Sequence, residues 1–90
     1  MRVKIGTRAN RQLIEIARYI RPKDAEASIR VGRRIRESIA ILSRFPRIGR
    51  EGNLGGTREI VIPGLPFVVV YRIETRQVFI LGVHHCARDR

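Results

Sequence analysis

Five side chains in the second half of the chain could together carry acid–base chemistry: Arg58, Glu59, Arg72, His84 and His85. A histidine or a carboxylate can serve as general base or acid, and an arginine can stabilise the charge that develops on a phosphate. Such a set suits metal-free RNA cleavage, which needs a base for the 2′-hydroxyl, an acid for the leaving 5′-oxygen and a cation at the phosphate. If the last strand continues through His84 and His85, these neighbours point to opposite faces, so only one of them can join a given cluster.

Metal and cofactor sites are not indicated by the sequence. His84, His85 and Cys86 are consecutive, and successive strand residues diverge, so they do not form a zinc site without a fourth ligand. The glycine-rich stretch 47–56 lacks the Gly-Lys-Ser/Thr ending of a phosphate-binding P-loop and is interpreted as a surface loop. The single cysteine excludes an internal disulfide and fits a reducing compartment. We therefore expect neither a metal nor a cofactor.

Positive charge is the strongest global feature of the chain. Lys and Arg number 19 against 8 acidic residues, which gives a net charge of +11, and nearly all the cations are arginines. Such a surface suits a polyanion, either nucleic acid or an acidic protein segment, and the bidentate fork of Arg favours phosphate or carboxylate. A plain basic nucleic-acid-binding protein is one hypothesis, although no recognition-helix, RRM or KH signature is present.

Hydrophobic periodicity predicts the elements that position these residues. Alternation over Met1–Ile5 indicates a short strand, and Thr7 could cap a helix whose apolar stripe includes Ala9, Leu13, Ile16 and Ile20. Pro22 ends that helix at about 20–21, and Asp24 offers the cap of a second helix that continues as far as Phe45-Pro46. Three apolar, β-branched runs follow and predict strands over Glu59–Ile62, Phe67–Ile73 and Val78–Val83.

The predicted fold is α+β, with the element order β-αα-βββ in a single domain over residues 1–90. Strands this closely spaced connect as antiparallel hairpins, so we expect a two-layer structure with an antiparallel sheet packed on the N-terminal helical hairpin. No run of about eighteen apolar residues could span a membrane, and the N-terminus has no signal-peptide core. We therefore expect a cytoplasmic protein.

Several motifs in this order resemble the RelE/ParE toxins of type II toxin–antitoxin systems. The likeness covers almost the whole chain, from the pattern Ala9…Leu13…Ile16…Tyr19-Ile20 to an ending, 83–89, similar to the family's "V-L-H-G-A-R-D". Between them, 45–50 looks like the family's "P-x-x-G-R" link, and Val70-Tyr71-Arg72 closes the third strand. The resemblance implies a small cytoplasmic toxin, associated with plasmid stabilisation, in the fold that periodicity predicts.

The family has two functional branches, and position 68 bears on the choice between them. RelE-like members cleave mRNA at the ribosome and usually carry Arg three residues before the tyrosine of the third strand, where this chain has Val68. ParE-like members, which inhibit DNA gyrase by binding, commonly have an aliphatic residue there. We therefore favour the ParE-like branch, a gyrase inhibitor that is not an enzyme. The alternative is a ribosome-dependent mRNA endoribonuclease, for which Arg58, Arg72 and His85 would be the catalytic candidates.

The resemblance also implies partners and binding residues. A cognate acidic antitoxin would neutralise the toxin, the target would be gyrase or else the ribosome and its mRNA, and the toxin–antitoxin complex would bind operator DNA. An amphipathic antitoxin segment could cover excess apolar surface by groove binding or strand addition. Arg58 and Arg72 could instead pair with Glu59 or Glu74. The arginines expected to bind the antitoxin or the target are Arg30, Arg33, Arg34, Arg58, Arg72, Arg88 and Arg90.

Overall fold

The computed structural model describes residues 1–86 and has the predicted α+β element order. Two consecutive helices follow the first strand, and the remaining strands follow the helices. The elements are β1 (Arg2–Ile5), α1 (Thr7–Ile20), α2 (Ala25–Arg44), a 3-10 turn (Pro46–Ile48), β2 (Arg50–Glu51), β3 (Arg58–Val61), β4 (Phe67–Ile73) and β5 (Gln77–His85). None of the described helices is long and apolar enough to cross a bilayer.

The five strands within residues 1–86 form one sheet in the order β1-β5-β4-β3-β2. The pairs β2–β3, β3–β4 and β4–β5 are antiparallel, as the short connections predict. The sheet is nevertheless mixed, because β1 pairs with β5 in parallel, with Val3 opposite Val78. Spacing could not predict this direction, since the helices and three strands separate β1 from β5 in sequence. The two-residue strand β2 lies in the stretch that the sequence indicated as loop.

Local chemistry sets the ends of the helices. Asp24 caps α2 as predicted, and its Oδ1 accepts a hydrogen bond from the Ala27 amide at 3.0 Å. Thr7 does not cap α1: the helix begins at Thr7 itself, after Gly6, with no side-chain cap. The Gly6 amide donates to Ile80 O, and a Cβ on Gly6 would lie 2.8 Å from the Phe79 ring. The close approach of the backbone to β5 therefore selects glycine at this position.

The hydrophobic core lies between the helices and one face of the sheet. Val69 and Tyr71 of β4 and Val78, Ile80 and Val83 of β5 point to this helix-covered face and are buried. Val68, Val70 and Arg72 alternate with them and belong to the opposite, open face. A register shift between Val70 and Tyr71 leaves one residue of β5 unpaired, but β4 keeps its alternation.

Candidate partner-binding surfaces

The register places the two candidate arginines of the strands on opposite faces of the sheet. Arg58 lies opposite Tyr71 and therefore shares the helix-covered face. Arg72 lies opposite Phe79 on the open face. A sheet separates the two guanidinium groups, so they do not converge on one phosphate.

The histidines also diverge, as strand alternation predicts. His84 lies opposite Val68 on the open face, and His85 lies opposite Phe67 on the helix-covered face, where the two rings meet edge-to-face at 5.7 Å between centroids. Phe67 and Tyr71 are four residues apart on β4, which is about 13 Å along a strand at ~3.3 Å per residue. His85 is therefore about that far from Arg58 along the sheet. The structure does not bring Arg58, Arg72 and His85 together.

Arg58 instead holds the link between α2 and β2. Its Nη1 donates to the carbonyl oxygens of Gly49 at 2.8 Å and Arg47 at 3.3 Å. The buried Tyr71 hydroxyl donates to Pro46 O at 2.7 Å and accepts from the Gly49 amide at 2.9 Å. We call the side chains of Arg58 and Tyr71, with the backbone groups that they bind, the clasp.

The clasp explains the "P-x-x-G-R" motif in structural terms. A Cβ on Gly49 would lie 2.5 Å from the Tyr71 hydroxyl oxygen and 2.9 Å from Glu59 O, so only glycine fits at this position. From the sequence, Arg58 was a binding or catalytic candidate, and Tyr71 was assigned only to the third strand of the family resemblance. The fixed spacing of the motif indicated that Gly49 has a structural role. It could not identify the partner, because the Tyr71 hydroxyl belongs to a residue 22 positions away in sequence.

Arg72 is exposed on the open face and is held by its neighbours. Its Nε donates to Glu74 Oε2 at 2.8 Å, which is one of the pairings that the sequence suggested, and its guanidinium lies 4.9 Å from the Phe79 ring centroid. A hydrogen bond from Gln77 and then that from Arg72 lower the pKa of Glu74. Arg72 is thus an exposed arginine that is held in place by its ion pair with Glu74. On the same face, Arg50 and Glu59 form an ion pair at 3.4 Å.

The basic face of α2 is divided between solvent and structure. Arg30 and Arg33 are exposed, as a partner-binding role requires. Arg34 is also exposed, but its Nη1 donates to Pro63 O at 3.0 Å and so ties the β3–β4 turn to the helix. Arg88 and Arg90 lie outside the described residues.

An apolar groove lies between the second half of α1 and the end of the sheet. We call it the helix groove; it has a volume of about 550 Å³, and its apolar lining includes Ile16, Tyr19, Ile20, Leu65 and Phe67. Tyr19 is 65% exposed, and the Lys23 ammonium lies 3.5 Å from its ring centroid. An apolar groove is the kind of surface to which the apolar face of an amphipathic helix binds. Sequence reasoning did not single out Tyr19 as a surface residue, because it falls beside the apolar stripe of α1.

No group of three or more His, Cys, Asp or Glu side chains within residues 1–86 could hold a metal ion. The open face does carry titratable groups, among them Glu59, His84 and Cys86, around a polar cleft. The described surfaces therefore offer exposed cations and apolar grooves to a partner, beside the titratable groups of this cleft.

Comparison with known proteins gives one consistent result. Residues 3–90 match the family described as the ParE toxin of the type II toxin–antitoxin system parDE. "Putative toxin Y4kP" of Sinorhizobium fredii (strain NBRC 101917 / NGR234) is 40% identical over 84 residues, which are 93% of this chain and 86% of the relative. A solved structure titled "Chromosomal ParDE TA system from P. aeruginosa" superposes with a TM-score of 0.85 at 20% identity, over 94% of this chain and 95% of the other. The last likeness confirms the fold.

Proposed function

This chain belongs to the ParE toxin family of type II toxin–antitoxin systems, and from that premise we propose that it inhibits DNA gyrase by binding rather than by catalysis. On this proposal the toxin acts in the cytoplasm on gyrase or on a gyrase–DNA complex and traps a cleaved-DNA intermediate. Arg30, Arg33 and Arg72 are exposed cations that can contact the enzyme or its DNA.

The observation that carries the proposal is that the residues which could catalyse RNA cleavage lie far apart in the structure. Arg58 and Arg72 lie on opposite faces, Arg58 is engaged in the clasp, and His85 is remote along the sheet. Val68, at the position where a RelE-like nuclease has arginine, is buried. A general base, a general acid and a phosphate-binding cation must lie within reach of one substrate, and this trio does not meet that condition.

Membership of the toxin family also implies that the chain binds a cognate antitoxin. The helix groove offers apolar surface to an amphipathic helix, and a net charge of +11 attracts an acidic polypeptide over distance. We expect the complex to bind operator DNA, with the antitoxin covering part of the toxin's basic surface.

The test is a supercoiling assay with purified gyrase, run beside an in vitro translation reaction in which cuts in the mRNA are mapped. We expect loss of supercoiling, accumulation of cleaved DNA held by gyrase, and intact mRNA. Toxin preincubated with antitoxin is the control and should leave supercoiling unchanged. Intact supercoiling with ribosome-dependent, codon-phased cuts would place the chain in the RelE branch instead.

A further inference from the structure

Half of one sheet edge has no neighbouring strand in the described chain. β4 pairs with all four residues of β3, but β2 pairs only with Arg58 and Glu59. Ile60 and Val61 therefore have a strand on one side only. An unpaired stretch of edge is a template for an added strand.

The backbone of Val61 points toward the vacant side. The Ile62 amide donates to Phe67 O across the β3–β4 hairpin at 2.9 Å. Because the N–H and C=O groups of successive strand residues point to alternate sides, those of Val61 point away from β4. One donor and one acceptor are thus presented to an incoming strand.

The clasp creates this vacancy. Arg50 lies opposite Glu59, so an extension of the same antiparallel register would place Ile48 opposite Val61. Instead the chain turns away at Gly49, where Tyr71 and Arg58 hold it, and Pro46–Ile48 forms a 3-10 turn. The edge is therefore left open by a specific set of hydrogen bonds and not by a frayed end.

An exposed apolar cluster borders the open edge. We call it the edge patch; its members are Ile41, Ile48, Val61 and Pro63, and they line a cleft of about 330 Å³. Ile41 is 46% exposed, Ile48 60% and Val61 52%. Large aliphatic side chains grouped at a sheet edge mark a protein-interaction site.

The charge around the edge patch selects the partner. Arg50 and Glu59 are the charged residues of the cleft and pair with each other, so Glu59 is neutralised locally. Arg34, which binds Pro63 O, adds positive charge at its rim, and Arg47 is the neighbour of Ile48 in sequence. A second copy of a chain with a charge of +11 is repelled from such a surface, whereas an acidic segment is attracted.

We propose that an extended acidic segment of the antitoxin adds as a strand beside Ile60 and Val61, in the place that β2 leaves vacant. Its backbone pairs with Val61, alternate apolar side chains cover the edge patch, and its carboxylates meet the arginines of the rim. The inference rests on the toxin–antitoxin part of the proposed function and adds a second contact, separate from the helix groove.

A peptide probe tests the strand site in the full-length chain. The probe is an eight-residue peptide that alternates Glu with Val or Ile, and its control has Lys at every Glu position. We expect the acidic peptide to shift the backbone amide resonance of Val61 in a ¹H–¹⁵N NMR titration and the Lys peptide to bind about tenfold more weakly or worse.

Two substitutions at one position give a matched pair. Val61→Pro removes the outward N–H and blocks an incoming strand, while the β3–β4 ladder does not use this N–H. Val61→Thr keeps the N–H and the β-branched shape. We expect Val61→Pro to weaken peptide binding and to speed dissociation of the antitoxin complex by about tenfold, and Val61→Thr to change both by less than about threefold.

If Val61→Pro does not fold, hydrogen exchange of the Val61 amide in the wild-type chain tests whether a strand of the antitoxin pairs with this residue. We expect slow exchange in the antitoxin complex and fast exchange in the toxin alone. Unchanged exchange, equal binding of both peptides, or a wild-type dimer that Val61→Pro dissociates would each overturn the proposal. Gyrase is absent from all these experiments, so their failure is distinguishable from failure of the gyrase proposal.

Discussion

The hydroxyl of Tyr71 is a buried polar group that makes two hydrogen bonds to a loop. In Tyr71→Phe, the Gly49 amide and Pro46 O lose their partner, so we expect the free energy of unfolding to fall by about 1–3 kcal/mol. Urea denaturation followed by circular dichroism measures it. Thr75→Val is the control, which removes a hydroxyl at an exposed site and should change stability by less than about 0.5 kcal/mol. Equal effects of the two substitutions would contradict this role of the clasp.

A substitution at Gly49 tests the clasp through a steric clash. Gly49→Ala places a methyl group against the Tyr71 hydroxyl, and we expect a loss of about 1–3 kcal/mol in the free energy of unfolding. Gly55→Ala is the control, because a Cβ there has no neighbour within 4 Å. A Gly49→Ala variant as stable as Gly55→Ala would show that the loop does not approach Tyr71 this closely.

Glu74 is expected to titrate below its usual range, because Gln77 and then Arg72 hydrogen-bond to its carboxylate and lower its pKa. A pKa lowered in the folded state means that the contribution to stability is present at neutral pH and is lost as the pH falls through the folded-state pKa. NMR titration of the side chain measures this pKa. Gln77→Ala should raise it toward the usual value, whereas Arg76→Ala should not. A pKa that Gln77→Ala leaves in place would contradict this assignment.

At the scale of elements, sequence periodicity predicted the helices and the three-strand meander because those features depend on near neighbours. Asp24 caps α2, β4 alternates through Val68 and Tyr71, and His84 and His85 diverge, all as the local patterns indicated. The features that sequence missed depend on distant partners. The parallel β1–β5 pair, glycine at position 6 and the clasp each join segments far apart in the chain.

The candidate site was less predictable than the fold for the same reason. Clustered cations indicated a binding surface, but the sequence could not show that Arg34 and Arg58 are engaged with backbone carbonyls. It also could not show which apolar side chains remain exposed, because Tyr19 and Ile48 are of residue types that also occur in the core.

The N-cap residue Asp24 fixes the start of α2, directly after the turn that joins the two helices. Asp24→Ala removes a side-chain acceptor from the first turn and an acidic group from the helix N-terminus, so we expect a loss of about 1 kcal/mol in the free energy of unfolding. Asp24→Asn, which keeps an acceptor oxygen, should recover most of it. Equal losses in both variants, measured by thermal and urea unfolding, would assign the effect to charge and not to the cap.

At the scale of the whole molecule, we expect the net charge to set the association rate constant for the antitoxin and the helix groove to set the dissociation rate constant. A net charge of +11 steers an acidic partner, so we expect the association rate constant to fall about tenfold or more between 50 mM and 500 mM salt. Tyr19→Ala, in the helix groove, should raise the dissociation rate constant with little effect on association. Stopped-flow measurements separate the two. Association independent of salt would contradict the electrostatic part of the account.

The central claim, inhibition of gyrase by binding, is tested most directly by the stoichiometry of inhibition. Gyrase is titrated with toxin, and the residual supercoiling is measured at several incubation times. We expect inhibition to saturate in proportion to the amount of complex, to be independent of time once binding is complete, and to be unchanged in His85→Ala. Inactivation that continues with time at toxin concentrations far below that of gyrase would instead show that the chain is a catalyst.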